Sequence, residues 1–371
     1  MLQIMMSGFD TLLRTASKRL GGLAYRQKAE AVAAVAPFAP TLPLNHAGLP
    51  ASLRSFFQET VAIPPVPVYT LDDVFVSWHT AVFRNFRVFL PALAMPGTEY
   101  HYSDRLLLKQ WVGHTRRVRR PLGLVHDPWS SSNFYHWMAD SLPRLLVLRE
   151  QHPGCQLLMP APVAGYMQQT CAALGFTDLL TVEKDDIIQA DTLVVPAHTT
   201  PLGYQHPPLL KQVRDELVAA LAPAVPGRPP QRRRVYVSRA RQKLRRLVNE
   251  DEILPLLAQY GFETVFFEEL SLTQQVRLMQ ETAVLLGVHG AGLTNMLFLP
   301  AGATVIEMVN LEKLERTAEK GFENILYFRM AGGLQLPYYC LPGQHAGEGI
   351  PTNDSDIRVE PAQLAQVLSE L

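Results

Sequence analysis

Apolar and polar positions follow two rhythms along this chain. Short continuous apolar runs, as expected for strands covered on both faces, are separated by stretches whose apolar residues recur at helical spacing. The rhythm is clearest in the second half, where 235–238, 263–267, 283–288 and 304–308 read as strands. Asn249 caps the first intervening helix, whose first turn carries Glu250, Asp251 and Glu252, and Gly261 closes it. Ser271 with Gln274 opens the next helix, which runs to 282. Strand and helix repeated three times and closed by a fourth strand make a Rossmann-like half, whose ligand belongs at the strands' carboxyl ends.

The first half is read the same way. Strands are expected at 74–78 and 81–90, a helix at 101–113 and a buried strand at 123–127. A helix begins at Asn133, and Pro143 should end or kink its first part. Strand 156–159, helix 163–174, strand 191–195 and helix 209–221 follow, so alternating β and α predict a parallel sheet. Residues 2–20 read as a helix. Residues 31–44 lose periodicity and gain prolines, which predicts a linker or irregular surface. Beyond 308 come a helix at 323–330, a strand at 336–341, a polar loop at 344–356 and a last helix at 360–371. The Pro-rich stretch 223–231 is the best linker. The expected organisation is an N-terminal segment 1–60, an α/β domain 61–225, a second α/β domain 226–345 and a tail 346–371.

Composition narrows the function classes. Of 371 residues, 47% are hydrophobic and 18% charged, an ordinary soluble balance. Net charge is +0, so no bulk field draws the chain to nucleic acid. Basic residues are instead local, at Arg116, Arg117, Arg119 and Arg120 and again across 232–246. The three cysteines have neither metal-ligand spacing nor a disulfide framework, which fits a reducing compartment. No apolar run of about 18 residues and no signal-peptide pattern are visible. The expectation is a cytoplasmic protein, at most peripheral at the inner face of a membrane.

Two stretches carry chemistry. In GVHGAGLTNMLFLPAGATVIEM (287–308), Gly290 and Gly292 permit a sharp turn into a helical segment, beside His289. Such a turn aims unpaired N–H groups and a helix dipole at one point, which suits a phosphate. The basic loop 238–246 follows another strand of the same half, so its arginines could clamp a diphosphate there. The plainer alternative is a solvated basic loop. In the second stretch, 127–148, His136 and Asp140 are four apart and share one helix face, as a general-base pair would. Spacing alone also allows a His–Asp bond that merely fixes a loop. No metal triad stands out, because Asp72-Asp73 and Asp185-Asp186 are lone acidic pairs of the kind found in solvated turns.

NFYHWMADSLPRL (133–145), VYVSRARQKLRRLVNEDEI (235–253) and HGAGLTN (289–295) together resemble glycosyltransferase family 61. That family includes bacterial capsular-polysaccharide-type proteins, plant xylan-decorating enzymes and animal O-linked GlcNAc-type transferases. The resemblance implies an α/β, GT-B-like fold of two Rossmann-like domains facing a cleft. It implies inverting transfer, usually from a UDP-sugar to a glycan or other hydroxyl acceptor, without a metal or other cofactor. Carried over by motif, His289, Gly290, Ala291 and Gly292 would lie at the donor diphosphate and sugar. Ser238, Arg239 and Arg246 would hold the diphosphate, with Asn249 also on the donor side, and Asn295 and Glu307 would reach the sugar or ribose. Asp140 is the first choice for the base and His136 the second. The family's animal and plant members are membrane-anchored, which makes a bacterial-type enzyme of surface polysaccharide or glycan synthesis the expectation here. Two other classes remain: a catalytically silent nucleotide-sugar-binding protein, and a dinucleotide-dependent oxidoreductase, although G-x-G-x-x-G is absent.

Overall fold

The structure is a computed structural model that describes residues 22–85, 87–92, 114–223, 232–319, 324–347, 351 and 354–371. The helices expected at 2–20 and 101–113 lie outside those residues, as does nearly all of the 223–231 linker. The chain divides into two compact units, one formed by residues up to 36 with 63–202, the other by 37–62 with 203–371.

The first unit is built on one sheet of nine strands: β1 (Gln27–Val32), β2 (Val66–Ser77), β3 (Val82–Arg84), β4 (Arg87–Val88), β5 (Thr115–Val118), β6 (Leu122–Gly123), β7 (Gln156–Pro160), β8 (Leu179–Val182) and β9 (Ile187–Pro196). Their order is β8–β7–β6–β9–β2–β3–β4, with β1 on β2 and β5 on β9. Strands β6 to β9 pair in parallel, as their βα alternation predicts. β2 runs antiparallel to β9, so the sheet is mixed rather than parallel throughout. The edge beyond β2 is antiparallel too, for a local reason. No helix separates β2, β3 and β4, and turns at Thr80 (φ 61°) and Asn85 (φ 47°) return the chain as hairpins. The single strand expected at 81–90 is therefore two.

Residues 31–44 are less irregular than expected, since Gln27–Val32 and Val35–Phe38 are strands. Asp72 and Asp73 sit inside β2, not in a solvated turn, and form ion pairs with Arg26 and Arg84, each at 3.0 Å. The strand expected at 123–127 is only Leu122–Gly123, followed by one more backbone bond from the Leu124 N–H to the Val194 carbonyl at 3.0 Å. There the following helix packs directly on the strand: a Cβ on Gly123 would overlap the Leu148 side chain. That helix, α1, opens as Phe134–His136, widens into a π turn over Trp137–Ser141 and continues as Leu142–Gln151. Asn133 caps it by accepting from the Tyr135 N–H at 2.9 Å. The π turn absorbs Pro143, which would otherwise clash with the preceding carbonyls. Helix α2 (Gly165–Ala173) connects β7 to β8.

The second unit holds α3 (Pro207–Leu221), β10 (Arg233–Val237), α4 (Glu250–Gln259), β11 (Phe262–Val265), α5 (Leu272–Gln280), β12 (Thr282–Val288), β13 (Thr304–Asn310), α6 (Leu311–Ala318), α7 (Leu326–Leu334), β14 (Tyr338–Ala346), β15 (Asp356–Arg358) and α8 (Pro361–Ser369). The sheet order is β11–β10–β12–β13–β14–β15, parallel except for the last strand. Counting its parallel strands along the chain gives 2-1-3-4-5, a doubly wound order that reverses between β10 and β12. Ser271 and Gln274 form the expected reciprocal capping box at the start of α5. Tyr236, Leu286, Ile306 and Leu341 on one sheet face pack against Ile253 and Leu257 of α4 and Leu364 and Leu368 of α8. Burying each such side chain stabilises the fold by about 1.5–3 kcal/mol. No helix among the described residues is long and apolar enough to cross a membrane.

Candidate active site

Where the strand order reverses, the two neighbouring strands send their loops apart and leave a crevice at their carboxyl ends. In the second unit this places the turn after β10, beginning at Ser238, beside the turn after β12, beginning at His289.

The first turn is fixed from within. Ser238 Oγ donates to Glu250 Oε1 at 2.6 Å and accepts from the Ala240 N–H at 3.1 Å, while Tyr236 OH donates to the same Glu250 oxygen at 2.7 Å. Ser238 therefore shapes the loop with its own hydroxyl. Arg239 is held by the loop that follows it, donating Nε to the Arg245 carbonyl at 2.9 Å and Nη2 to that of Leu244 at 3.0 Å. Its remaining Nη1 lies against Gly290, where a Cβ would sit only 2.6 Å away. Burial, then the neighbouring charge of Arg245, lowers the Arg239 pKa from its usual value.

The other basic residues of the loop diverge. Arg241 stacks its guanidinium 4.0 Å from the Phe266 ring centroid and pairs with Glu269. Arg246 is exposed and grips Asp356 through Nε at 3.1 Å and Nη2 at 2.8 Å. Arg245, in left-handed backbone (φ 58°), is half-buried, and its Nε is sealed from solvent without a hydrogen-bond partner. Asn249 makes no capping bond; its amide is engaged with the backbone of Val359 instead.

The second turn and the strand end before it are close-packed around glycines. A Cβ on Gly287 would come within 3.2 Å of Leu293, and one on Gly292 within 3.1 Å of Val237. Residues Ala291–Phe298 form a 3₁₀ helix. His289 Nδ1 bonds Glu307 Oε1 at 2.5 Å, and the other Glu307 oxygen accepts from Tyr338 OH at 2.5 Å. Burial first, then Lys313, lowers the His289 pKa, against the opposing pull of Glu307. Neutral His289 is thus fixed by Glu307 with Nδ1 occupied. Its ring meets that of Tyr327 edge-on at 5.1 Å. Asn295 folds its amide back to the Gly292 carbonyl at 3.2 Å, and its Oδ1 is buried without a partner.

Two neighbours of these turns, Lys313 and Tyr327, escape a reading by motif, and Arg245 is legible only as one of several arginines in the basic loop. Lys313 lies in the first turn of α6, whose sequence LEKLERTA looks like an ordinary surface helix. Nothing local marks it for burial.

In the first unit a second cluster forms at the carboxyl ends of β6 and β9. His136 Nδ1 bonds Asp140 Oδ2 at 2.7 Å, with the side chains 19% and 9% exposed. Burial raises the Asp140 pKa, opposed by His136. For His136 burial is also the largest influence and lowers the pKa, but the Asp140 bond with the charges of Asp140 and Asp127 outweighs it, so the net shift is upward. Trp129 lies 5.7 Å from the His136 ring. Asp127 Oδ1 accepts from the Trp129 and Ser130 N–H groups at 2.9 and 2.7 Å, fixing the turn before the helix. Arg144 is fully buried and donates to the carbonyls of Val125 (2.6 Å) and Pro196 (2.8 and 3.0 Å), pinning the two strand ends together. Burial pushes its pKa down to about 10. Among the described residues no group of three or more His, Cys, Asp or Glu is placed to hold a metal.

Residues 134–306 match a family described as Glycosyltransferase 61. The chain is 45% identical over 93 residues to an EGF domain-specific O-linked N-acetylglucosamine transferase of Drosophila melanogaster, covering 24% of this chain and 18% of that protein. It is 38% identical over 87 residues to alpha-1,3-arabinosyltransferase XAT3 of Oryza sativa subsp. japonica, covering 23% and 15%. Over a longer stretch of 227 residues it is 26% identical to the rice beta-1,2-xylosyltransferase XAX1, covering 56% and 39%. The chain thus spans less than half the length of these relatives.

Proposed function

Since residues 134–306 place the chain in the glycosyltransferase 61 family, we propose that it moves a sugar from a nucleoside-diphosphate sugar, a UDP-sugar foremost, to a hydroxyl acceptor with inversion at the anomeric carbon. A GT-B-like division of labour, donor on the second unit and acceptor on the first, belongs to the same proposal, as does an acceptor in surface polysaccharide or glycan synthesis. The observation that carries it is the switch point itself: Arg239 Nη1, the close-packed Gly290–Gly292 turn and fixed, neutral His289 meet at the strand ends.

The chemistry follows from those parts. One acceptor oxygen attacks the anomeric carbon as the bond from that carbon to the phosphate oxygen breaks, and the electron pair leaves on the diphosphate. Arg239 and the N–H groups of the turn stabilise that charge, the task performed elsewhere by a metal. The acceptor proton goes to His136 Nε2. Asp140 holds Nδ1–H and supports the imidazolium that results, because its oxygen is already committed to that nitrogen at 2.7 Å. In this proposal His136 is the base and Asp140 orients it, the other order from the one expected above, and the 2.7 Å contact supports that choice. A positioned base contributes about 10²–10⁴-fold.

A thermal-shift panel of nucleotides and nucleotide-sugars, with chelator and with divalent cations, tests the reading. A ligand at a hundredfold excess over its Kd stabilises by about 2.7 kcal/mol. The expected result is a selective UDP-type shift that persists in chelator and is lost in Arg239→Ala. A shift with NAD(P) alone, or with nothing, refutes it.

A further inference from the structure

We infer that Lys313 and Arg245 complete a two-phosphate site, so that the second unit selects nucleoside diphosphates, and sugars linked to them, over nucleoside monophosphates. The inference rests on the donor reading above and deepens it.

Its basis is two cationic side chains, Lys313 and Arg245, each with a nitrogen that makes no direct hydrogen bond or ion pair among the described residues. Lys313 is held at the start of α6, where Asn310 Oδ1 accepts its backbone N–H at 3.0 Å. The residue is only 7% exposed, and among the described residues its ammonium has neither a hydrogen-bond nor an ion-pair partner. An ordinary surface lysine buries its stem and keeps its head in water; this one is covered almost to the tip. Arg245 approaches from the basic loop with its buried Nε also unpartnered. Its carbonyl accepts from Arg239 Nε at 2.9 Å, which ties it to the site, and its charge acts on Lys313, His289, Tyr327 and Arg239 alike.

A buried, unpaired charge is costly, and a like charge beside it adds to the cost. Burial first, then Arg245, brings the Lys313 ammonium down to about 8, in spite of Glu307 and Asp354. Glu307 makes no direct ion pair with Lys313; its two oxygens accept from His289 and Tyr338 instead. The arrangement is satisfied when an anion arrives. Arg239 Nη1 with the Gly290 turn provides for one phosphate, and Lys313 with Arg245 provides for a second. A monophosphate reaches one half only; a diphosphate spans both. When the glycosyl bond breaks, the new charge appears on the terminal phosphate, where the second pair of cations can meet it.

Isothermal titration of the full chain with UDP, UMP and inorganic pyrophosphate tests this, using wild type, Lys313→Met and Lys313→Arg. A hydrogen-bonded charge pair corresponds to roughly tenfold to a hundredfold in affinity. Wild type should bind UDP at least about tenfold tighter than UMP; Lys313→Met should bring UDP down to the UMP level without weakening UMP, and Lys313→Arg should restore most of the loss. Unliganded Lys313→Met should melt at or above wild type, because a buried charge is gone, which separates lost binding from misfolding. If UDP binds and the UDP-to-UMP ratio is the same in Lys313→Met, the two-phosphate site is refuted while the donor reading stands. If wild type ignores UDP but binds pyrophosphate in a Lys313-dependent way, the donor reading falls and the two-phosphate site stands. Binding of none of the three overturns both.

Discussion

Replacing Asp140 with Asn tests the proposed base with almost no change in shape. The residue's side chain is 9% exposed and its Oδ2 lies 2.7 Å from His136 Nδ1, so solvent screens the pair weakly. A charge-assisted bond of this kind contributes about 1.5–3 kcal/mol, equivalent to roughly tenfold to a hundredfold in rate if it serves only the transition state. The pH dependence has a definite sign. The wild-type His136 pKa is raised, chiefly through Asp140 acting against burial. A neutral base is needed, so kcat/KM should fall as pH drops through that raised value. In Asp140→Asn burial acts unopposed by this partner, and the acid limb should move to lower pH while the plateau drops.

Stability should change in a different direction. A His pKa raised on folding contributes stability below its unfolded value of about 6.5, lost as pH rises through the folded value. That increment disappears in the variant. At mildly alkaline pH it is absent from wild type too, and burial works against a charged Asp140, so Asp140→Asn should melt at or above wild type there. The assay is UDP release from a UDP-sugar across pH, paired with melting curves. A plateau within about twofold of wild type and an unmoved acid limb would refute the dyad as the base.

Two glycines give further tests. Gly290→Ala places a Cβ 2.6 Å from Arg239 Nη1 and 3.2 Å from its Cζ; titration should show UDP binding about tenfold weaker, with a modest loss of stability, since the guanidinium must loosen its hold on the Arg245 and Leu244 carbonyls. Gly123→Ala forces a methyl into Leu148 at the contact between strand and helix; urea unfolding should show a loss of about 1–3 kcal/mol with an unchanged slope.

What the sequence made legible was the part governed by neighbours. The capping box at Ser271, the cap at Asn133 and the strands from Arg233 to Asn310 follow from local spacing, and the structure keeps them. The doubly wound half could be read because its central strands, β12 and β13, are nearly continuous apolar runs between helices with clear caps. The mixed character of the first sheet could not: β2 carries Pro67, Asp72 and Asp73, which break an apolar run, and its partner β9 lies more than a hundred residues away. The same limit applies to the site. Arg245 and Arg246 are adjacent in one basic run, yet one backbone angle sends the first towards His289 and leaves the second on Asp356. Lys313 has the spacing of a surface lysine, and only burial, with Arg245 acting on it from a distant stretch of chain, changes its character.

The loop that supplies Arg245 is also zipped to a distant stretch of chain. Arg245 N donates to Asp354 O, Arg246 N to Asp356, Val248 N to Ile357 O, and Asn249 brackets Val359. Residues 110 apart are thus stitched together over a few successive positions. Closing so long a loop costs chain entropy that is recovered only after the sheet between the two stretches exists. The order of events in folding follows from this. The βα core can assemble first from contacts that are short in sequence, and the zip closes onto a finished sheet. A species with its secondary structure complete but the zip open would have Arg239 without its carbonyl collar and Arg245 adrift. Competence to hold an anion is then the last property this unit acquires.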